Sequence, residues 1–98
     1  MMRFEYATQF EKSLRRLPPH ERVRTADTIE QIVQYCEARQ APVGLGLTKL
    51  FSAQALGAVF EARITRALRL LFTVKQYTVT FVMVGNHDEV RRFIRTFR

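Results

Sequence analysis

Four side chains in the second half of the chain are of types that together could act on a phosphodiester: Glu61, Arg63, Arg69 and His87. Glu61 and Arg63 are two residues apart, so on an extended segment they project from one face. Arg69 falls on the same face of the next alternating segment, close enough to Arg63 for both to converge on one phosphate. His87 opens a helix just beyond a third segment, where a helix N-terminus also attracts anions. Cleaving RNA requires that the 2′-hydroxyl lose a proton, that the phosphorane charge be stabilised and that the leaving 5′-oxygen gain a proton. One carboxylate, two or three arginines and a histidine suffice for that. Two histidines and scattered carboxylates give no metal-ligand spacing, so no metal and no cofactor are expected. Plainer roles compete with each assignment. Glu61 and Arg63 could form a solvated ion pair, Arg69 could tie the sheet to a terminus, and His87 could be a surface residue beside a cap. The basic run Arg91, Arg92, Arg95 and Arg98 could be a solvated helix face or a docking surface for an acidic partner.

The elements that must hold these residues can be read from periodicity. Arg3 to Tyr6 alternates and predicts a short strand. Thr8 and Glu11 have the spacing of a capping box, with Phe10, Leu14 and Leu17 on one helical face behind it. Pro18-Pro19 ends that helix and opens a second, from about Pro19 to Arg39. Its apolar stripe is Val23, Ala26, Ile29, Ile32, Val33 and Cys36, so Cys36 reads as a small core hydrophobe. His20, in the first turn, is given no role. Pro42, Gly44 and Gly46 mark a loop.

From Leu47 the period changes to two, with a possible strand from Leu47 to Phe51. Phe60, Ala62 and Ile64 face one way in Ala58–Arg66, and Glu61, Arg63 and Thr65 the other. After a turn near Arg66-Ala67, Leu68, Leu70, Phe72 and Val74 oppose Arg69, Leu71, Thr73 and Lys75. A turn at Gln76-Tyr77 leads to a third strand, Thr78 to Val84, which Gly85 ends. Asn86 followed by Glu89 at the third helical position predicts a capped terminal helix with Val90, Phe93, Ile94 and Phe97 apolar. The expected class is α+β: a helical hairpin on one face of a mainly antiparallel sheet. The other face would carry Glu61, Arg63, Arg69, Thr73, Lys75, Thr78 and Thr80, and it could remain in water.

Composition sets the frame. Ninety-eight residues make one domain, 1–98, and 47% apolar with 26% charged residues is ordinary for a globular chain. No stretch approaches the ~18 apolar residues of a membrane span. The first residues, Met1-Met2-Arg3-Phe4-Glu5, have no apolar run of signal-peptide length, which points to the cytoplasm. The single cysteine excludes a disulfide framework within the chain. The net charge of +7 is mostly arginine and lopsided. Residues 1–46 hold seven basic and six acidic side chains, and residues 47–98 hold nine and three. A polyanion or an acidic protein should therefore meet the second half.

Several stretches, taken in order, resemble the RelE/ParE toxin superfamily. Phe10-Glu11-Lys12-Ser13-Leu14-Arg15-Arg16-Leu17-Pro18 is similar to its first-helix pattern, and Leu47-Thr48-Lys49-Leu50 to the segment before its meander. Val59-Phe60-Glu61-Ala62-Arg63-Ile64 and Leu68-Arg69-Leu70-Leu71-Phe72 are similar to its central hairpin, "E-x-R-I … Y-R-x-x-F/Y". Val84-Gly85-Asn86-His87-Asp88-Glu89-Val90 is similar to its closing "G-x-H-D-E-x-Y" segment.

The resemblance implies a β-α-α-β-β-β(-α) fold and the toxin of a bacterial type II toxin–antitoxin pair. Most RelE-like members cut mRNA in the ribosomal A site, whereas ParE-like members inhibit DNA gyrase without nuclease activity. A catalytically inactive binding module is a further alternative. By motif, Arg69 matches the arginine that contacts the scissile phosphate, and His87 the histidine that some branches use as acid or base. Glu61 and Arg63 match polar positions that are functional in some branches. Lys49, Arg66, Lys75 and Arg91 are the expected RNA contacts. The implied partners are an acidic antitoxin and mRNA on the ribosome, with no membrane, and a homodimer or toxin–antitoxin hetero-oligomer as the assembly. Two positions depart from the pattern: Leu68 stands where a tyrosine is usual, and Arg91 where an aromatic usually follows "H-D-E".

Overall fold

The computed structural model describes residues 2–38 and 46–96. The expected loop residues Pro42 and Gly44, the helix end at Arg39, and Phe97 and Arg98 lie outside them. The chain runs β1 (Arg3–Tyr6), α1 (Thr8–Arg15), α2 (Pro19–Ala38), β2 (Thr48–Ala53), β3 (Gly57–Arg63), β4 (Leu68–Lys75), β5 (Thr78–Asn86) and α3 (His87–Arg95). The five strands form one sheet in the order β1-β5-β4-β3-β2. β1 pairs parallel to β5, and the other neighbours are antiparallel. The α+β architecture is therefore as the periodicity predicts.

The start of α1 differs from expectation. Its cap is Ala7, not Thr8, and no side chain caps it. The Ala7 N–H donates to the Phe81 carbonyl at 2.9 Å, which carries the β1–β5 pairing one residue further. The Ala7 carbonyl then accepts the Glu11 N–H at 3.2 Å, so backbone pairing sets the turn into the helix. At the other junction the Pro18 carbonyl accepts the N–H groups of Glu21 and Arg22, and α2 begins at the second proline, Pro19.

The inner stripe of α2 also departs from expectation in its first half. Val23 is 62% exposed and Ala26 is exposed, while Thr25 and Thr28 are buried. Both threonine hydroxyls donate to the carbonyl one turn back, Thr25 to Glu21 at 2.8 Å and Thr28 to Arg24 at 3.0 Å. With the hydroxyl satisfied locally, the rest of the side chain packs as an apolar one. The second half of the stripe holds at Ile29, Ile32 and Cys36. Ile32 is fully buried, and Ile29 and Cys36 pack against the same core. Burial, with the Glu37 carboxylate nearby, pushes the Cys36 thiol up from its ordinary range.

The main core lies between the hairpin and the sheet and contains Phe10, Ile32, Leu70, Phe72, Val79 and Phe81. A second cluster lies on the opposite face, which is not left wholly in water. Val59, Leu71, Val82, Met83 and Val90 are buried there, with Leu50, Phe51, Phe93 and Ile94 around them. Two bulges create this cluster. Pairing shifts between Leu71 and Phe72, so Val82 is the extra residue in β5. Phe81 then serves the first core, while Val82 and Met83 both serve the second. A similar shift at Leu50 lets Leu50 and Phe51 both join the second cluster. α3 folds back over this apolar patch. β3 ends at Arg63 rather than Arg66, and β5 continues through Gly85 to Asn86.

Beyond Phe81, β5 has no strand beside it on the β1 side, and α1 fills the place. The buried Ser13 hydroxyl donates to the Phe10 carbonyl and accepts the Val84 N–H, both at 3.0 Å. Ser13→Ala should strand a buried N–H and destabilise the fold by about 1–3 kcal/mol. Urea denaturation should show a lower midpoint with an unchanged slope. An unchanged midpoint would mean that this bond contributes nothing.

Candidate active site

The β3–β4 hairpin presents the central charges. Arg63 and Arg69 are direct cross-strand partners, and Glu61 lies opposite Leu71. Two arginines directly opposite one another repel, so a nearby carboxylate stabilises the pair. Glu61 supplies it: Glu61 Oε1 lies 3.5 Å from Arg69 Nε, with side chains only 15% and 22% exposed. The ion pair is thus Glu61–Arg69, diagonal across the strands, and not Glu61–Arg63. Arg69 Nε is buried and makes no hydrogen bond among the described residues, so the contact is one of charge rather than of directed bonding. Arg63 is exposed beside Gly46, where an added Cβ would come within 2.9 Å of the Arg63 Cβ.

The β4–β5 pairing brings the second half of the site alongside. Arg69 pairs with Gly85 and Leu68 with Asn86. Asn86 caps α3: its side chain accepts the Glu89 N–H at 2.8 Å, and Glu89 Oε1 accepts the Asn86 N–H at 2.8 Å. The capping box read from the sequence is therefore present. Gly85 leaves room for it, since a Cβ there would lie 3.0 Å from Glu89 Oε1 and 3.1 Å from Glu89 Cβ. His87, the first residue of α3, is exposed, and its Nε2 accepts a hydrogen bond from Arg91 Nε at 2.7 Å.

A groove of about 300 Å³ runs between β2–β3 and α3. Glu61, His87, Arg91 and Arg95 line it, with Leu50, Phe51, Val90 and Ile94 as its apolar part. The structure therefore gathers Glu61, His87 and Arg91 at one groove, with Arg69 joined to it through Glu61. Arg66 is exposed in the turn at the tip of the β3–β4 hairpin. Two expected RNA contacts lie elsewhere. Lys49 pairs with Phe60 and so shares the face that packs on the helical hairpin, opposite to Glu61. Lys75 is at the far end of β4, ~20 Å along the strand from Arg69, and its Nζ donates to the Ala55 carbonyl at 3.0 Å. The bulge in β2 decides the position of Lys49, and the length of β4 that of Lys75. Arg95, expected only as part of the basic run on the terminal helix, and the apolar pair Leu50-Phe51, given no role by the sequence, also join the groove. The sequence signal for them is faint: Arg95 lies one helical turn beyond Arg91, and Leu50-Phe51 is a single apolar pair after Thr48-Lys49.

No protein-family model matches the chain, and no curated protein sequence does. Solved structures do match. The RelB–RelE antitoxin–toxin complex from Methanococcus jannaschii matches with a TM-score of 0.66 at 19% identity, over 91% of this chain and 96% of that one. The chain has the RelE fold. The archaeal RelE–RelB complex from Pyrococcus horikoshii gives a TM-score of 0.65 at 18% identity, covering 87% and 93% of the two chains. The DinJ–YafQ complex from E. coli gives 0.66 at 15% identity, covering 92% and 98%. At these identities the likeness is one of fold. On this RelE fold, among the described residues, no three His, Cys, Asp or Glu side chains gather as a metal site, and no helix is long and apolar enough to cross a membrane.

The cap that presents His87 can be tested directly. Asn86→Ala should cost about 0.5–2 kcal/mol. The loss should be local, so amide exchange should quicken first in residues 87–90. Unchanged exchange there would show that the sheet, not the cap, holds the start of α3.

Proposed function

We propose that this protein is the toxin of a type II toxin–antitoxin pair and a metal-independent endoribonuclease that cuts ribosome-associated mRNA and inhibits translation. The observation that carries this reading is the convergence of Glu61, paired with Arg69, and His87 on one groove at the edge of the second core. The RNA supplies its own nucleophile, the 2′-hydroxyl, so the protein needs only proton transfer and charge stabilisation. His87 or Glu61 takes the hydroxyl proton, the 2′-oxygen attacks phosphorus, and the same group returns the proton to the 5′-oxygen as its bond to phosphorus breaks. Arg69, assisted by Arg63, meets the charge that grows on the phosphorane. Leu50 and Phe51 give the groove an apolar wall on which a base can pack.

The cytoplasm is the compartment this reading requires, and the partner is an acidic antitoxin. Structures of the same fold solved with RelB and with DinJ support a partner of that kind. The excess positive charge of residues 47–98 would steer it. Raising salt should then slow association clearly and alter dissociation less. Association that ignores salt would count against a charge-steered partner.

The nuclease reading is tested with purified, folded variants and a defined RNA. Arg69→Ala should lose about 2.7–4 kcal/mol of transition-state stabilisation, roughly 100- to 1,000-fold in rate. His87→Gln should lose ~10²–10⁴-fold in rate. Arg92 lines a separate groove between α1 and α3, so Arg92→Ala is the control and should mainly weaken binding. Near-wild-type cleavage by both folded site variants would overturn the assignment.

A further inference from the structure

His87 is the only histidine at the groove, and its ring is not free. The Arg91 guanidinium one turn along α3 places its Nε 2.7 Å from His87 Nε2 and donates its N–H to it. An arginine has no lone pair to offer and can only donate. Nε2 is therefore the acceptor, and an imidazole that makes this bond carries its single proton on Nδ1. In water the neutral ring favours the opposite form, with the proton on Nε2, so the bond selects the less common tautomer. The other charged groups that face the groove are Glu61 from β3 and Arg95 from α3.

We infer that Arg91 is a positioning residue that holds His87 in its Nδ1–H form and keeps Nε2 closed until an anion draws the guanidinium away. Nothing but this side chain is needed for the first half of that statement. Arg91 is exposed on α3 and is held by no ion pair among the described residues, so a phosphodiester can compete for it. A guanidinium binds a charged phosphate oxygen more strongly than a neutral nitrogen. Its departure uncovers Nε2 as the phosphate arrives and lets the ring return to the commoner Nε2–H form. This second half rests on the ribonuclease reading, in which His87 is a proton carrier and the anion is RNA. It also assigns a use to the residue that stands where the resembled family usually has an aromatic.

The test is the nitrogen spectrum of histidine-labelled protein at about pH 8.5, well above the ordinary histidine range. Long-range proton–nitrogen correlations separate the protonated ring nitrogen from the one with a lone pair. His20, exposed in the first turn of α2, is the internal control, and His87→Gln assigns the signals. His87 should show the Nδ1–H pattern in the wild type and should change to the His20-like Nε2–H pattern in Arg91→Ala. A pattern that Arg91→Ala leaves unchanged overturns the positioning role. Adding an all-deoxy oligonucleotide, which lacks the attacking hydroxyl, should move the wild-type pattern toward that of Arg91→Ala. A wild-type pattern unmoved at the highest oligonucleotide concentration overturns the release step. Neither readout requires turnover. If the tautomer changes as expected while the protein cuts no RNA, the Arg91–His87 pairing stands and the nuclease reading falls.

Discussion

The register of β4 against β5 is the constraint on which the site depends. It sets Arg69 opposite Gly85 and Leu68 opposite Asn86. From those two pairs it follows that the cap of α3 starts beside the ion-paired arginine and that His87 emerges at the groove. A slip of one residue would send Arg69 to the helical-hairpin face and Leu70 to the groove face, since strand side chains alternate. The core prevents it. Leu70, Phe72, Val79 and Phe81 are almost fully buried on one side, and Leu71 and Met83 on the other, so either face resists being exchanged. The packing that stabilises the sheet thus also fixes the chemistry.

Charge is arranged in pairs around the groove. Arg63 and Arg69 oppose each other, and Glu61 offsets the more buried of the two. On α3, Arg91 is bonded to His87. In the free protein, then, Glu61, Arg69 and His87 each have a partner within the chain. A substrate phosphate must replace those partners, and an arginine-rich surface favours that exchange because guanidinium groups bind phosphate oxygens in well-directed pairs.

Much of this was readable from spacing. Period-two alternation places Glu61, Arg63 and Arg69 on one face, and Asn86 with Glu89 announces the cap of α3. What spacing could not give was anything that depends on a bulge or on tertiary cover. The extra residues Leu50 and Val82 carry no local signature, yet they shift the parity of β2 and β5 and build the second core. Lys49 falls on the helical-hairpin face because it precedes the bulge in β2. Lys75 shares a face with Arg69 as alternation says, but face is not distance, and it serves the turn after β2 instead. Thr25 and Thr28 fall outside the apolar stripe expected for α2 because composition does not reveal that each hydroxyl is satisfied one turn back along the helix. Ala7 replaces Thr8 as the cap because the parallel β1–β5 pairing, invisible locally, reaches Ala7.

The central claim is that the groove between β3 and α3 is a ribonuclease site. Its most direct test is a primer-extension map of cellular mRNAs taken shortly after induction of the wild-type protein and of His87→Ala. New mRNA ends should arise within coding regions for the wild type, before DNA replication slows, and should be absent for the folded variant. Intact mRNA together with an early arrest of replication and a DNA damage response would contradict the account and favour action on gyrase.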